Sequence, residues 1–387
     1  MKKKKKRKKK VRTLKAKGVM YQGSCLKIMR EIPSESVHCV VTSPPYWGLR
    51  DYDVKGQHGI EPSLEQWLDK MEKVFRQVRR ILRPDGTCWV NIGDNYVKGE
   101  LTGQPWELAF RMKSDGWILR SDCIWAKPNP TPEPGTRRRP TLAHEYIFQF
   151  VKTKDYYYDG EAIKEPQTGN AHPRGSKLSP PFEAAGIGHE GFAAKTPYQG
   201  DLGGRGKRTI WTITSGGAGD EGHFAAFPDE LPEICIKAST SERGCCIVCG
   251  APMERVMELT ELGKKILGKS WHDHKDDMIR GQRKTPPAVS GPLRKTVGWK
   301  RTCDHDGFEA APCNVFDPYA GRGTTGVVAL RLGRNFTGIE LKPEWYDLAR
   351  KNLTEGASQA GVVTDEDLQT RSELGLMSDL ERALFDV

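Results

Sequence analysis

Two apolar runs, far apart in this 387-residue chain, each break into a turn of restricted composition, and together they limit what the chain can fold into. The first, Val37-His38-Cys39-Val40-Val41, closes in Thr42-Ser43-Pro44-Pro45-Tyr46-Trp47. A strand ending in a small hydroxyl, two prolines and an aromatic predicts a rigid pocket at the carboxyl edge of a sheet, where open α/β folds bind ligands. Each proline fixes φ and lacks an N–H, so the turn presents carbonyls as unopposed acceptors.

The second run, Asn314-Val315-Phe316-Asp317, leads through Pro318-Tyr319-Ala320-Gly321-Arg322-Gly323-Thr324-Thr325-Gly326 into a helical stretch from Val327 to Leu332. Glycines at 321 and 323 let backbone approach a ligand, and the turn delivers that ligand to a helix N-terminus. The next apolar run, Phe336-Thr337-Gly338-Ile339, ends in Glu340, where a βαβ unit places an acid against a ribose. Gly321, Gly323 and Gly326 also satisfy the dinucleotide pattern, so spacing alone admits either a nicotinamide cofactor or S-adenosylmethionine. The Asp317-Pro318-Tyr319-Ala320 opening and the amine-cradling Ser43–Tyr46 pocket favour the second. The chemistry this suggests is methyl transfer to the exocyclic amine of an extruded base, with Ser43 Oγ and the Pro44 carbonyl accepting its hydrogens while Tyr46 stacks on its face.

On these residues the chain resembles the amino-methylating DNA methyltransferases, in the permuted order where the catalytic segment precedes the cofactor segment. Further matches are Gly48-Leu49-Arg50-Asp51-Tyr52, Leu82-Arg83-Pro84-Asp85-Gly86-Thr87 before Trp89–Asp94, Trp117–Pro130, and His223–Pro228. The resemblance implies an α/β, Rossmann-like S-adenosylmethionine-dependent methyltransferase fold with a seven-stranded mixed sheet and an irregular inserted target-recognition region. It also implies double-stranded DNA as substrate. Catalytic roles fall on Ser43, Pro44, Pro45 and Tyr46, and cofactor binding on Asp317, Pro318, Tyr319, Ala320, Gly321, Gly323, Thr324, Thr325 and Glu340. One departure is Gly23-Ser24-Cys25, where the family has Gly-Asp-Cys, so an acidic contact near the cofactor adenine is absent. Ser43 at the head of the tetrapeptide favours cytosine N4 over adenine N6. Pro312-Cys313 has the look of a carbon-5 nucleophile but sits at the entrance to the cofactor strand.

Charge is unevenly spread. The first seventeen residues hold twelve basic side chains and no acid, against a whole-chain net of +11, so the remainder is close to neutral. This basic tail offers phosphates attraction without sequence choice. Arg137, Arg138 and Arg139, and Arg280, Arg283 and Lys284 within the basic stretch 264–301, are the better candidates for DNA contact. No run approaches the length of a membrane span, so the expected setting is cytoplasmic, beside the nucleoid of a prokaryotic or phage-infected cell. A cognate restriction enzyme is a candidate partner on which the sequence itself is silent.

Cys246-Ile247-Val248-Cys249-Gly250 has the form of a zinc knuckle. The expected ligand set is Cys246, Cys249, Cys303 and Cys313, with His305 as the substitute fourth. A redox pair is the competing use, and a noncatalytic zinc-bearing DNA-binding protein the competing class. The resulting layout is a basic tail over 1–17, a catalytic half over 18–159, an irregular insertion over 160–222 and a return to the core over 223–242. A zinc-binding basic insert over 243–313, a cofactor half over 314–353 and an acidic segment over 354–387 follow. Apolar spacing from Leu64 to Leu82 predicts a helix stopping before Pro84. A helix over 102–114 and strands over 87–92, 117–125 and 146–150 are also expected.

Overall fold

The computed structural model describes residues 12–13, 15–130, 138–166, 203–215, 227–267, 291–305 and 309–360. The chain divides into two compact units. The first takes Met1–Ala162, Arg208–Glu254 and Arg301–Val387, and the second Ile163–Lys207 and Arg255–Lys300.

The first unit is built on one sheet of eight strands: β1 (Gly18–Gln22), β2 (Val37–Thr42), β3 (Leu82–Ile92), β4 (Ile118–Ala126), β5 (His144–Val151), β6 (Ile210–Thr212), β7 (Asn314–Asp317) and β8 (Asn335–Glu340). Their order across the sheet is β1-β8-β7-β2-β3-β5-β4-β6. The run from β1 to β3 is parallel, β5 is antiparallel to both β3 and β4, and β6 is parallel to β4. The junction that matters is β7 beside β2, with Val315 opposite Cys39 and Phe316 opposite Val40. It sets the ends of the two motif strands side by side, although the chain between them is long.

Every residue of β2 is buried, as a strand covered on both faces requires. Val40 packs into the apolar core formed with α1 (Leu64–Ile81) and α2 (Gln104–Ser114), which carries Trp67, Met71, Val74, Phe75 and Val78. Ser63 caps α1 by accepting the Gln66 N–H (3.3 Å), and the helix yields to β3 at Leu82. A second helical layer comprises α3 (Glu230–Ser239), α4 (Thr324–Arg331) and α5 (Pro343–Ala360), with α3 against β2 and α5 against β1. Trp89 Nε1 donates to Ser239 Oγ (2.8 Å), joining β3 to α3.

The helices and strands agree with expectation to within a few residues, except β3, which begins at Leu82. Leu82 pairs with Val37, and the register slips before Cys39 meets Thr87, which accommodates Pro84 and Gly86. Eight strands stand where seven were expected. The additional one, β6, lies inside the stretch read as an insertion, and it pairs with β4 because that edge is otherwise open.

The boundaries of the inserts also differ from the sequence layout. Segments 163–207 and 255–300 form a unit together, while 208–254 and 301–313 stay with the sheet-bearing unit. In the second unit, strand Glu254–Leu259 pairs with Arg294–Lys300 beside helix Glu261–Leu267. Arg255 lies over the Trp299 ring at 4.4 Å and donates to Thr296 Oγ1 (3.0 Å). The basic tail to residue 11, the acidic segment beyond residue 360, Arg137, Arg280, Arg283 and Lys284 lie outside the described residues.

Candidate active site

At the carboxyl ends of β7 and β2 opens a cavity of about 1420 Å³. Ser43, Pro44, Pro45 and Tyr46 line one part of it, and Asp317 to Gly321, Thr324 and Glu340 another. The sequence expectation that the two motifs share one crevice is met by the strand order itself.

The tetrapeptide is held stiffly. Trp67 Nε1 donates to the Pro45 carbonyl (3.0 Å), Gln104 Oε1 accepts the Trp47 N–H (2.7 Å), and Asn95 Nδ2 donates to the Trp47 carbonyl (3.0 Å). At Gly59, φ is +100° and an added Cβ would lie 2.9 Å from the Tyr46 carbonyl, so only glycine lets that loop pass.

Around the motif lies a relay that the sequence motif did not reveal. Ser43 Oγ donates to Tyr46 Oη (3.3 Å), and Tyr46 Oη donates to Glu145 Oε2 (2.6 Å). Asn91 Nδ2 donates to the same carboxylate oxygen (2.7 Å) and lies 3.1 Å from Tyr46 Oη. Lys127 Nζ holds the other oxygen of Glu145 and stands 4.4 Å from the Trp125 ring centre. Burial, reinforced by the Glu145 charge, pushes the Tyr46 phenol well above its ordinary range, so it stays a neutral donor. Asn91 Oδ1 is buried and has no hydrogen-bond partner among the described residues. Flipping the amide would turn that oxygen toward the Glu145 carboxylate, so the carboxylate fixes the orientation of the amide.

The second motif is braced mostly within its own segment. Asp317 is buried, and its two oxygens accept the Tyr319 N–H (3.0 Å) and Thr325 Oγ1–H (2.9 Å). Burial raises its carboxyl to about 6. It therefore braces the turn from within. Gly323, at φ +84°, caps α4, and a Cβ on Gly326 would strike Phe336 Cδ1 at 2.5 Å. Glu340 accepts the Gly321 N–H (2.9 Å) on one oxygen and the Lys342 N–H (2.9 Å) on the other, leaving a lone pair on each. Burial raises its carboxyl as well. Tyr319 Oη meets His58 Nδ1 at 2.7 Å, and burial lowers the His58 imidazole toward its neutral form.

Other expected site residues distribute unevenly. Arg138 is exposed, while Arg139 lies over the Tyr96 ring at 3.6 Å and donates to the Pro140 carbonyl (3.2 Å). Cys246, Cys249 and Cys303 come together with His305. Cys313 does not join them: it is fully buried at the start of β7, in a separate trio with His38 and Cys245. The fourth residue beside the three cysteines is therefore His305, while Cys313 is held buried immediately before β7.

A doubly wound sheet with a nucleotide-type turn and a rigid polar pocket in one crevice defines an α/β protein with a nucleotide-cofactor-type site. The family model described as DNA methylase, covering N6 and N4 methyltransferases, matches residues 37–247 and 313–351. Type II methyltransferase M.Cfr9I of Citrobacter freundii is 32% identical over 367 residues, covering 86% of this chain and 87% of that one. M.SfiI of Streptomyces fimbriatus is 36% identical over 396 residues, covering 90% and 92%. Among solved structures, the PvuII DNA methyltransferase (cytosine-N4-specific) shares the fold with a TM-score of 0.52 at 19% identity, covering 96% of this chain and 94% of that chain. The chain belongs to the N6/N4 DNA methylase family and is an amino-methylating DNA methyltransferase. Among the described residues no helix is long and apolar enough to cross a membrane.

Proposed function

We propose that the protein methylates the N4 amine of cytosine in double-stranded DNA, with S-adenosylmethionine as donor. The relay from Ser43 through Tyr46 to Glu145 carries this reading. Because Ser43 spends its proton on Tyr46, and Tyr46 spends its own on Glu145, the free side of Ser43 Oγ is a lone pair. A hydroxyl fixed as an acceptor suits an amine N–H, and Asn91 lines the same cavity beside it. Such acceptors stabilise the positive charge that builds on the nitrogen as it attacks. Glu145 and Lys127 act as positioning residues, since they hold Tyr46 and Asn91 in place.

The donor side fits the cofactor by its chemistry. Glu340 keeps a lone pair on each oxygen for ribose hydroxyls, and the glycine turn at 321–323 leaves backbone open beside it. When bound, S-adenosylmethionine supplies a methyl group already made electrophilic by its sulfonium. The protein's own contribution is then proximity and orientation. Ser43 in the first place of the tetrapeptide favours cytosine, and exposed Arg138 is the described candidate for phosphate contact.

Mass analysis of nucleosides from DNA methylated by the purified enzyme tests this reading. N4-methylcytosine is expected, N6-methyladenine would overturn the choice of base, and no incorporation of labelled methyl would overturn the activity. Glu145→Gln should lower kcat about 10²-fold while calorimetric cofactor affinity holds.

A further inference from the structure

We propose that Cys246, Cys249, Cys303 and His305 hold one structural zinc ion, and that this ion braces the strand ending in Ser43 against the strand ending in Asp317. The ligand atoms of these four residues all lie within 4.8 Å of one another. Zinc–sulfur bonds of about 2.3 Å in a tetrahedron set neighbouring ligands roughly 3.8 Å apart, so the cluster has to contract by no more than about 1 Å. Three thiolates and an imidazole form a soft set that selects zinc over calcium or magnesium.

The local backbone is built to support such a site. Gly250 N–H donates to the Cys246 carbonyl (2.8 Å), Cys246 N–H donates to the Ala251 carbonyl (2.8 Å), and Gly250 turns the chain at φ +70°. The amides of Val248 and Cys249 bond the Cys246 sulfur, and that of His305 bonds the Cys303 sulfur, as thiolates require of their surroundings. Thr302 Oγ1 donates to the Pro252 carbonyl (2.8 Å), bringing the second ligand pair back to the first. In sequence the two pairs flank residues 255–300, so metal binding closes that whole excursion into a loop.

The knuckle is bonded to β2, to β3 and to the segment that leads into β7. Arg83 of β3, paired with Asp85, donates to the Cys249 carbonyl (2.7 Å). His38 of β2 donates from Nε2 to the Gly250 carbonyl (2.8 Å) and accepts the N–H of Asn314, the first residue of β7, on Nδ1 (3.0 Å). With both ring nitrogens in use, His38 has none to give a metal, so the trio it forms with Cys245 and Cys313 is not a second ion site. Cys245 and Cys246 also pair with Ala311 and Ala310, immediately before β7.

Metal analysis of the full-length protein, purified after zinc supplementation, provides the test. One zinc per chain is expected in the wild type and in Cys313→Ser and His305→Cys, and its loss in Cys246→Ser and Cys303→Ser. Zinc retained by Cys246→Ser, or lost by Cys313→Ser, would overturn the ligand set. If the cysteine variants prove insoluble, cobalt(II) added to the chelator-stripped wild type decides: a thiolate-to-cobalt charge-transfer band supports the site, and its absence together with absence of zinc overturns it. For the bracing role, stripping should speed amide exchange in Val37–Thr42 and Asn314–Asp317 at least about tenfold. Faster exchange confined to the knuckle would overturn that role.

Discussion

The two ends of the crevice are built on opposite plans. Around Asp317 most bonds run within the cofactor segment, the carboxylate to Tyr319 and Thr325 and Glu340 to Gly321 and Lys342, with Tyr319 to His58 and Thr325 to the Val41 carbonyl as the exceptions. Around Ser43 they run between strands. Glu145 lies 99 positions from Tyr46 and 54 from Asn91, and only the pairing of β3 with β5 brings them together. A local turn can form as soon as its own segment is ordered, whereas the acceptor pocket exists only once the sheet is assembled. Damage should therefore spread differently: substitutions in the turn should disturb cofactor affinity and stability, and substitutions in the relay should disturb turnover alone.

The sharpest break of this comparison is Ser43→Ala, expected to reduce kcat about 10³-fold with S-adenosylmethionine affinity unchanged in calorimetry. A matching loss of affinity would erase the distinction. Next comes the pH dependence of the turn. The Asp317 carboxyl titrates at about 6 in the fold against an ordinary 3.8, so between these values the native state holds more protons than the unfolded chain. Its stabilising contribution is full below pH 3.8 and is lost as the pH rises through 6, a change of up to about 3 kcal/mol. Guanidinium unfolding of Asp317→Asn at pH 4 and pH 7 should lack that component. Gly326→Ala drives a methyl into Phe336 and should cost about 2 kcal/mol of stability, read as a shift in denaturation midpoint. The smallest effect belongs to Tyr46→Phe, which removes one link of the relay while Lys127 and Asn91 still hold Glu145. About a tenfold fall in kcat is expected, with no change in melting temperature.

The same contrast explains what could be read in the chain beforehand. The Asp317 turn, Glu340 and α1 were legible because their signals, glycine spacing and helical periodicity, are complete within a short window. Ser43–Tyr46 was legible as a motif, but Glu145, Asn91 and Lys127 were not recognised as its partners. Asn91 and Lys127 lay inside recognised matches without a role, and Glu145 is an acid at the head of an apolar strand whose opposite number depends on antiparallel register. β6 falls in Thr209–Ile213, a run that reads as strand-like in an otherwise irregular stretch, but its pairing with β4 was not legible. The fourth knuckle ligand was ambiguous for a related reason. Cys313 and His305 both offer plausible spacing, and only the burial of Cys313 beside His38 and Cys245 removes it from contention.

Lys127 and Glu145 stand at the two feet of the connection between β4 and β5, where the Lys127 N–H also reaches the Ala143 carbonyl (2.8 Å). A connector fastened at its base in this way can be rewritten in length and composition without moving the carboxylate that steadies the chemistry.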